Sequence, residues 1–142
     1  MVETIHFFSE DIQFEISDPD TIRDWISSVA ASYGQSIGEI NFIFCSDEYL
    51  LQINQEHLNH DTYTDIITFP LSILGQELLS DIFISIDRVK ENAIDRKLSF
   101  EEELHRVLIH GILHLCGLKD KSSEEASEMR NAEDKALAIL RI

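Results

Sequence analysis

Hydrophobic residues follow two different repeats along this chain, and the repeats predict a mixture of helices and strands. In five stretches, after residues 18, 46, 87, 99 and 122, apolar side chains recur every three or four positions, which places them on one face of a helix. Between these stretches apolar and polar residues alternate, as in half-buried strands. We therefore predict an α+β fold with a single mixed sheet of about four strands packed with about five helices. The strand-like stretches are residues 5–8, 13–16, 39–45, 64–70 and 79–86.

The fourth helix has the clearest end signals. Ser99 and Glu102 have the spacing of a capping box, in which each side chain bonds the backbone N–H of the other residue. Gly117 is typical of a helix stop. For the first three helices we expect the N-caps Asp18 (followed by Pro19), Ser46 and Asp87.

The connections between strand-like stretches predict two pairings. Residues 5–8 and 13–16 are separated by a short polar turn and should form a hairpin. Residues 64–70 should run next to residues 79–86, with a turn at residues 74–76 between them.

Composition indicates one globular domain, residues 1–142. Hydrophobic residues make up 44% of the chain, which is typical of a protein with a packed core and not of a disordered one. No apolar run approaches the ~20 residues of a membrane span, and the N-terminus has no basic segment typical of a secretory signal. We expect a cytoplasmic protein with no membrane partner, in which Cys45 and Cys116 are free thiols.

The net charge of −16 is unevenly distributed. Residues 1–87 contain one basic residue, Arg23, against sixteen acidic residues, whereas residues 88–142 contain ten against eleven. Proteins that bind nucleic acid usually carry a basic surface, so only the second half could supply one. Its basic residues either lie on solvated helix faces or form a surface that binds along an RNA strand. The acidic first half suits a basic protein partner by charge complementarity.

The strongest candidate chemistry lies on the fourth helix. His110 and His114 are four residues apart, so both rings project from one helix face, and Asp120 follows just beyond the stop at Gly117. Two imidazoles and one carboxylate leave a fourth tetrahedral position for water, as in catalytic zinc sites. We predict one Zn²⁺ per chain at these three residues, on a metal-binding helix near the C-terminus. The alternative is that the histidines are partly buried and bonded to carbonyl groups.

Three segments resemble one known family. The run HGILHLCG at residues 110–117, followed by Asp120, resembles the H-G-x-L-H-L-x-G-x-x-H signature of the YbeY family. Upstream, Asn54 with the run DTYTDIITFP at residues 61–70 resembles the family's N…D-x-x-T-D-V-L-S-F-P, and SDIFIS at residues 80–85 is similar to its G-D-I-x-I-S. The resemblance spans nearly the whole chain.

The resemblance implies a zinc-dependent hydrolase, a single-strand-specific endoribonuclease that acts on ribosomal RNA precursors in maturation of the small-subunit 3′ end. It also implies ribosomal or ribosome-associated proteins as further partners. Two positions depart from the family pattern. Asp120 stands where the family's third histidine is usual, so the implied ligands are His110, His114 and Asp120. Leu58 stands where the family has an arginine four residues after the asparagine.

Several other residues are candidates for roles around this site. Asp65 and Asp81 lie near predicted strand starts, and either could orient a ligand ring or handle water; Asp65 is the candidate general base. Lys119 and Lys121 flank Asp120 and could meet a substrate phosphate. A second metal site is conceivable in the loop that contains His57, His60 and Asp61.

We expect water activated by zinc to attack an RNA phosphodiester. A zincin-like metalloprotease is the first alternative, because its two zinc histidines have the same spacing, but its general base Glu would occupy the position of Gly111. We interpret that glycine as making room for something large near the metal. The second alternative is a non-enzymatic ribosome-associated binding protein with a structural metal.

Overall fold

The computed structural model describes residues 4–58, 62–72 and 76–140. The elements in these ranges form an α+β fold with one mixed sheet of four strands and five helices, as the hydrophobic repeats predicted. In chain order they are β1 (Ile5–Ser9), α1 (Pro19–Ser32), β2 (Ile37–Cys45), α2 (Asp47–Leu58), β3 (Ile66–Pro70), β4 (Leu78–Ser85), α3 (Ile86–Arg96), α4 (Phe100–Leu115) and α5 (Ser123–Leu140).

The sheet has the strand order β1-β2-β4-β3. The pairs β1–β2 and β2–β4 are parallel, and β3 runs antiparallel to β4 at one edge, with Ile66 opposite Ile84. The predicted neighbours at residues 64–70 and 79–86 are therefore confirmed. Of the turn predicted at residues 74–76, residues 74 and 75 lie outside the described part of the chain.

The main core lies between one face of the sheet and the helices α1, α4 and α5. Alternate residues of the central strands point into it, and α4 is the most deeply buried helix, since Leu108, Ile109 and Ile112 have no exposed surface. Burial of one such side chain stabilises the fold by roughly 1.5–3 kcal/mol, which fixes α4 firmly on the sheet. The helix α2 covers part of the opposite face through a smaller cluster around Leu50.

The predicted hairpin is wrong. Residues 13–16 form no strand, and β1 pairs instead with β2, in parallel. The alternation at residues 13–16 has another cause: Phe14 makes edge-to-face contacts with Phe44 and Phe100, and Ile16 also packs against the core. An irregular segment that places every second side chain in the core has the same pattern as a strand.

Most of the predicted helix ends are found. Ser99 and Glu102 form the complete capping box of α4, and Ser46 caps α2 through a bond from the Tyr49 N–H. Asp18 occupies the N-cap position of α1 but its side chain makes no capping bond. The N-cap of α3 is Ser85, two residues before the predicted Asp87. The Ser85 hydroxyl accepts a hydrogen bond from the Arg88 N–H.

None of the helices within the described ranges is long and apolar enough to cross a lipid bilayer.

Candidate metal centre

The C-terminal end of α4 presents the two histidines side by side. Because they are one helical turn apart, the ring centroids of His110 and His114 lie 4.5 Å from each other, with the ring planes nearly perpendicular. Both rings are partly buried. The helix stops directly after them: Gly117 has φ 104°, a conformation that favours glycine, and this turns the chain back.

The returning chain brings Asp120 to the same point as the two rings. Its Oδ2 atom lies 3.2 Å from His110 Nε2 and 3.3 Å from His114 Nε2. The ligand atoms of all three residues lie within 4.8 Å of one another. The structure therefore brings together the three residues that the sequence predicted as ligands.

The opposite nitrogen of each ring is held by an acceptor. His110 Nδ1 lies 2.7 Å from Glu133 Oε2, and His114 Nδ1 lies 3.0 Å from the carbonyl oxygen of Leu118. Since a carboxylate and a carbonyl can only accept, both Nδ1 atoms carry the proton in the neutral rings. Each Nε2 atom then offers a lone pair toward the Asp120 carboxylate. These two nitrogens and the carboxylate all present lone pairs to one point and repel each other unless a cation lies between them. The three groups therefore fit a divalent metal ion.

Glu133 is the part of the site that the sequence analysis missed. It lies on α5, is buried, and accepts a 2.8 Å bond from Arg106 Nη1 besides the bond from His110. Burial alone would raise its pKa, but the bonds from His110 and Arg106 outweigh burial and lower the pKa of Glu133. One signal was present in the sequence: Glu133 follows Met129 by four residues and so falls on the apolar stripe of α5.

The ring of His110 responds to the same contacts. Burial lowers its pKa, but the hydrogen bond and charge of Glu133, with a smaller contribution from Asp120, raise the pKa of His110 overall.

Asp65 lies at the sheet edge, directly before β3. It lines the same cleft as His110, His114 and Asp120, which together form the metal cluster. Burial raises its pKa, and the nearby His110 opposes this rise only in part. Its Oδ2 atom accepts a long 3.4 Å bond from Asn92. A carboxylate with a raised pKa is a better proton acceptor than an ordinary aspartate, as general-base catalysis requires.

The cleft beside the metal cluster has a volume of about 920 Å³. One wall contains the end of α2, residues 62–65 and part of β3, and the other contains residues of α4 and of the turn after it. Lys121 is the only lysine or arginine among the cleft residues that the structure describes. Leu58, at the position of the family arginine, also lines the cleft and brings no positive charge to that wall.

A smaller cavity of about 310 Å³ adjoins the cluster between α4 and α5. Its lining includes several charged side chains that are paired with each other. Arg96 Nη1, for example, donates to both carboxylate oxygens of the fully buried Glu103, at 3.1 and 2.9 Å.

Asp81 does not reach the site, and the second metal site in the loop that contains His57, His60 and Asp61 stays a prediction. Asp81 lies within β4 and not near its start, and its side chain binds Asn41 Nδ2 on the sheet face opposite α4, so it does not orient a ligand ring. Of the loop proposed for a second metal, His57 contacts the Phe69 ring, while His60 and Asp61 lie outside the described residues.

Gly111 has a different role from the one expected. A Cβ atom at this position would lie 3.0 Å from Ile66 Cδ1 and 3.4 Å from Ile82 Cδ1. The glycine therefore allows α4 to approach the sheet closely, beside Ile66, which lines the cleft.

Comparison with known proteins supports the resemblance seen in the sequence motifs. Residues 5–141 match the family model described as Endoribonuclease YbeY. The chain is 54% identical to the Endoribonuclease YbeY of Flavobacterium psychrophilum, over 95% of this chain and 96% of that protein. It is 52% identical to that of Cytophaga hutchinsonii, over 96% of each chain.

A solved structure shares the fold. The solution structure of TM1509 from Thermotoga maritima matches with a TM-score of 0.64, over 96% of this chain and 91% of that one, at 23% sequence identity.

Proposed function

Because the chain belongs to the family described as Endoribonuclease YbeY, we propose that it is a metal-dependent endoribonuclease that hydrolyses single-stranded RNA. The substrate class we propose is ribosomal RNA precursor, at the small-subunit 3′ end, and the expected location is the cytoplasm. The whole chain would act as one metallohydrolase domain. The observation that carries the proposal is the convergence of two imidazole nitrogens and one carboxylate at the edge of a large cleft.

We propose that His110, His114 and Asp120 hold one Zn²⁺ per chain. Two nitrogens and one oxygen are a ligand set typical of catalytic zinc, which keeps a further position open. When bound, the ion would supply a water molecule of lowered pKa and stabilise negative charge on the phosphate.

The protein's own side chains have separate tasks in this proposal. Glu133 and the Leu118 carbonyl fix the two rings so that each Nε2 faces the ion position. Asp65 accepts the proton released by the attacking oxygen, a role that its raised pKa favours. Lys121, which follows the ligand Asp120, binds a phosphate of the strand in the cleft.

The position of Gly111 speaks against the protease alternative. The general base of a zincin is absent here, and a side chain at this position would start out toward Ile66 and Ile82, between helix and sheet. The acidic first half of the chain supports a basic ribosome-associated protein as an additional partner, and not as a replacement for catalysis.

The experiment that tests the proposal compares wild type with His114→Ala. Metal content, melting temperature and cleavage of a single-stranded RNA oligonucleotide are measured on the same samples, with a duplex of the same sequence as control. We expect wild type to bind about one zinc per chain and to cleave only the single strand, and His114→Ala to lose cleavage while it remains folded. An inactive wild type, with a variant that unfolds, would instead favour a structural metal.

A further inference from the structure

Tyr63 is an exposed aromatic residue on the wall of the cleft. It lies in the loop between α2 and β3, two residues before Asp65, and lines the cleft together with His110, His114 and Asp120. The residue is 49% exposed, although an aromatic ring of this size is usually more deeply buried.

The exposed ring is nevertheless held in place from two sides. The Tyr63 hydroxyl donates a 2.6 Å hydrogen bond to Glu48 Oε1 on α2. The guanidinium group of Arg88 lies over the ring at 5.4 Å from its centroid, and Arg88 is itself fixed by Asp47 at 2.8 Å. These contacts order the side chain before any ligand arrives, so little further entropy would be lost on binding.

The charges of the cleft explain why such a ring would be useful. Lys121 is the only lysine or arginine among its described lining residues, and the chain carries a net charge of −16. Side chains of the described lining therefore offer few contacts to phosphates, which are the usual main source of affinity for RNA. Stacking of a base on an aromatic ring does not depend on charge.

We propose that Tyr63 forms a base-stacking subsite, which takes one nucleobase of a single-stranded RNA close to the phosphate that is cleaved. This inference rests on the proposed nuclease function and deepens it. A base can stack on the ring only if it is not already paired and stacked within a helix. The subsite would therefore contribute to selection of single strands over duplexes.

The test measures binding separately from cleavage. A fluorescein-labelled single-stranded RNA is titrated with wild type, Tyr63→Leu and Tyr63→Phe in the presence of a chelator, so that no cleavage occurs. We expect Tyr63→Leu, which removes the ring, to bind about 5- to 100-fold more weakly, whereas Tyr63→Phe, which keeps the ring and loses only the bond to Glu48, retains most of the affinity. The matched control is Tyr33→Leu, at a partly exposed tyrosine outside the cleft, which should bind like wild type.

An abasic scan identifies the stacked base. Oligonucleotides with a single abasic position are tested at each position in turn against wild type and Tyr63→Leu. If a base stacks on Tyr63, there should be one position at which removal of the base weakens binding by wild type. The same removal should not weaken binding by Tyr63→Leu any further. The proposal is overturned if Tyr63→Leu binds like wild type, if Tyr63→Phe is as weak as Tyr63→Leu, or if no position abolishes the difference between the two proteins.

The two proposals can fail independently. If wild type binds RNA through Tyr63 but cleaves none, the nuclease function fails and the stacking subsite stands. If wild type cleaves RNA and Tyr63→Leu has unchanged affinity, the stacking subsite fails and the nuclease function stands.

Discussion

Replacement of Glu133 by glutamine should weaken zinc binding by about 10- to 100-fold, the effect typical of lost hydrogen bonds to a metal-ligating histidine. In free energy this corresponds to about 1.4–2.7 kcal/mol. The carboxylate of Glu133 accepts from two donors, His110 Nδ1 at 2.7 Å and Arg106 Nη1 at 2.8 Å. Glutamine keeps one acceptor oxygen and presents an NH₂ donor in place of the other, so one of these donors loses its acceptor.

The lost hydrogen-bond acceptor weakens zinc binding by changing the tautomer of His110. If the amide oxygen stays with Arg106, the amide NH₂ faces His110 Nδ1 and favours the tautomer with its proton on Nε2. That proton then occupies the nitrogen that should bind the ion. The replacement is close in size to glutamate, so the packing of α5 against α4 should change little.

Zinc affinity is measured by competition with a chromogenic chelator, and circular dichroism of the metal-free proteins checks that both variants are folded. Asp134→Asn is the matched control, because Asp134 accepts a 2.7 Å bond from the same Arg106 but is 56% exposed and does not contact His110. Its zinc affinity should stay within about twofold of wild type. Equal affinities for wild type and Glu133→Gln, or an equal loss in both variants, would refute the reasoning.

Three further predictions concern residues around the site. Gly111→Ala should lower stability by about 1 kcal/mol in thermal unfolding, because a Cβ atom 3.0 Å from Ile66 Cδ1 costs more than the gain in helix propensity; a higher melting temperature would show that space exists. Asp65→Asn should abolish RNA cleavage yet raise the melting temperature of the metal-free protein at pH 7. Burial raises the pKa of Asp65 above its unfolded value, so its ionised form opposes folding, and the advantage of the variant should disappear below about pH 4. Arg96→Ala should destabilise the protein by about 3 kcal/mol in urea unfolding, since it leaves the buried Glu103 without its partner, and Arg96→Ala combined with Glu103→Leu should recover much of this loss.

The convergence of His110, His114 and Asp120 could be predicted from the sequence because it depends on local geometry. The spacing of His110 and His114 and the stop at Gly117 fix where both rings and the returning chain lie, whatever the rest of the fold does. Glu133 could not be found in this way, because it lies 23 residues from His110 and reaches it only through the packing of α5 on α4.

The errors in the fold have a similar origin. Alternation at residues 13–16 reports only which side chains face the core, and Phe14 is partly buried against Phe44 and Phe100 without any strand partner. The pairing of β1 with β2 depends on contacts across more than 30 residues, which no local pattern encodes.

The residues that would bind the ion and the residue that would accept the proton of the attacking oxygen come from separate parts of the chain. His110, His114, Asp120 and Glu133 all belong to two consecutive helices and the turn between them, whereas Asp65 is carried by the edge of the sheet. Turnover could therefore be lost while affinity for the ion is kept. A related protein with a single change at the sheet edge could bind the metal fully and yet be inactive. Metal content alone would therefore not reveal which related proteins are active enzymes.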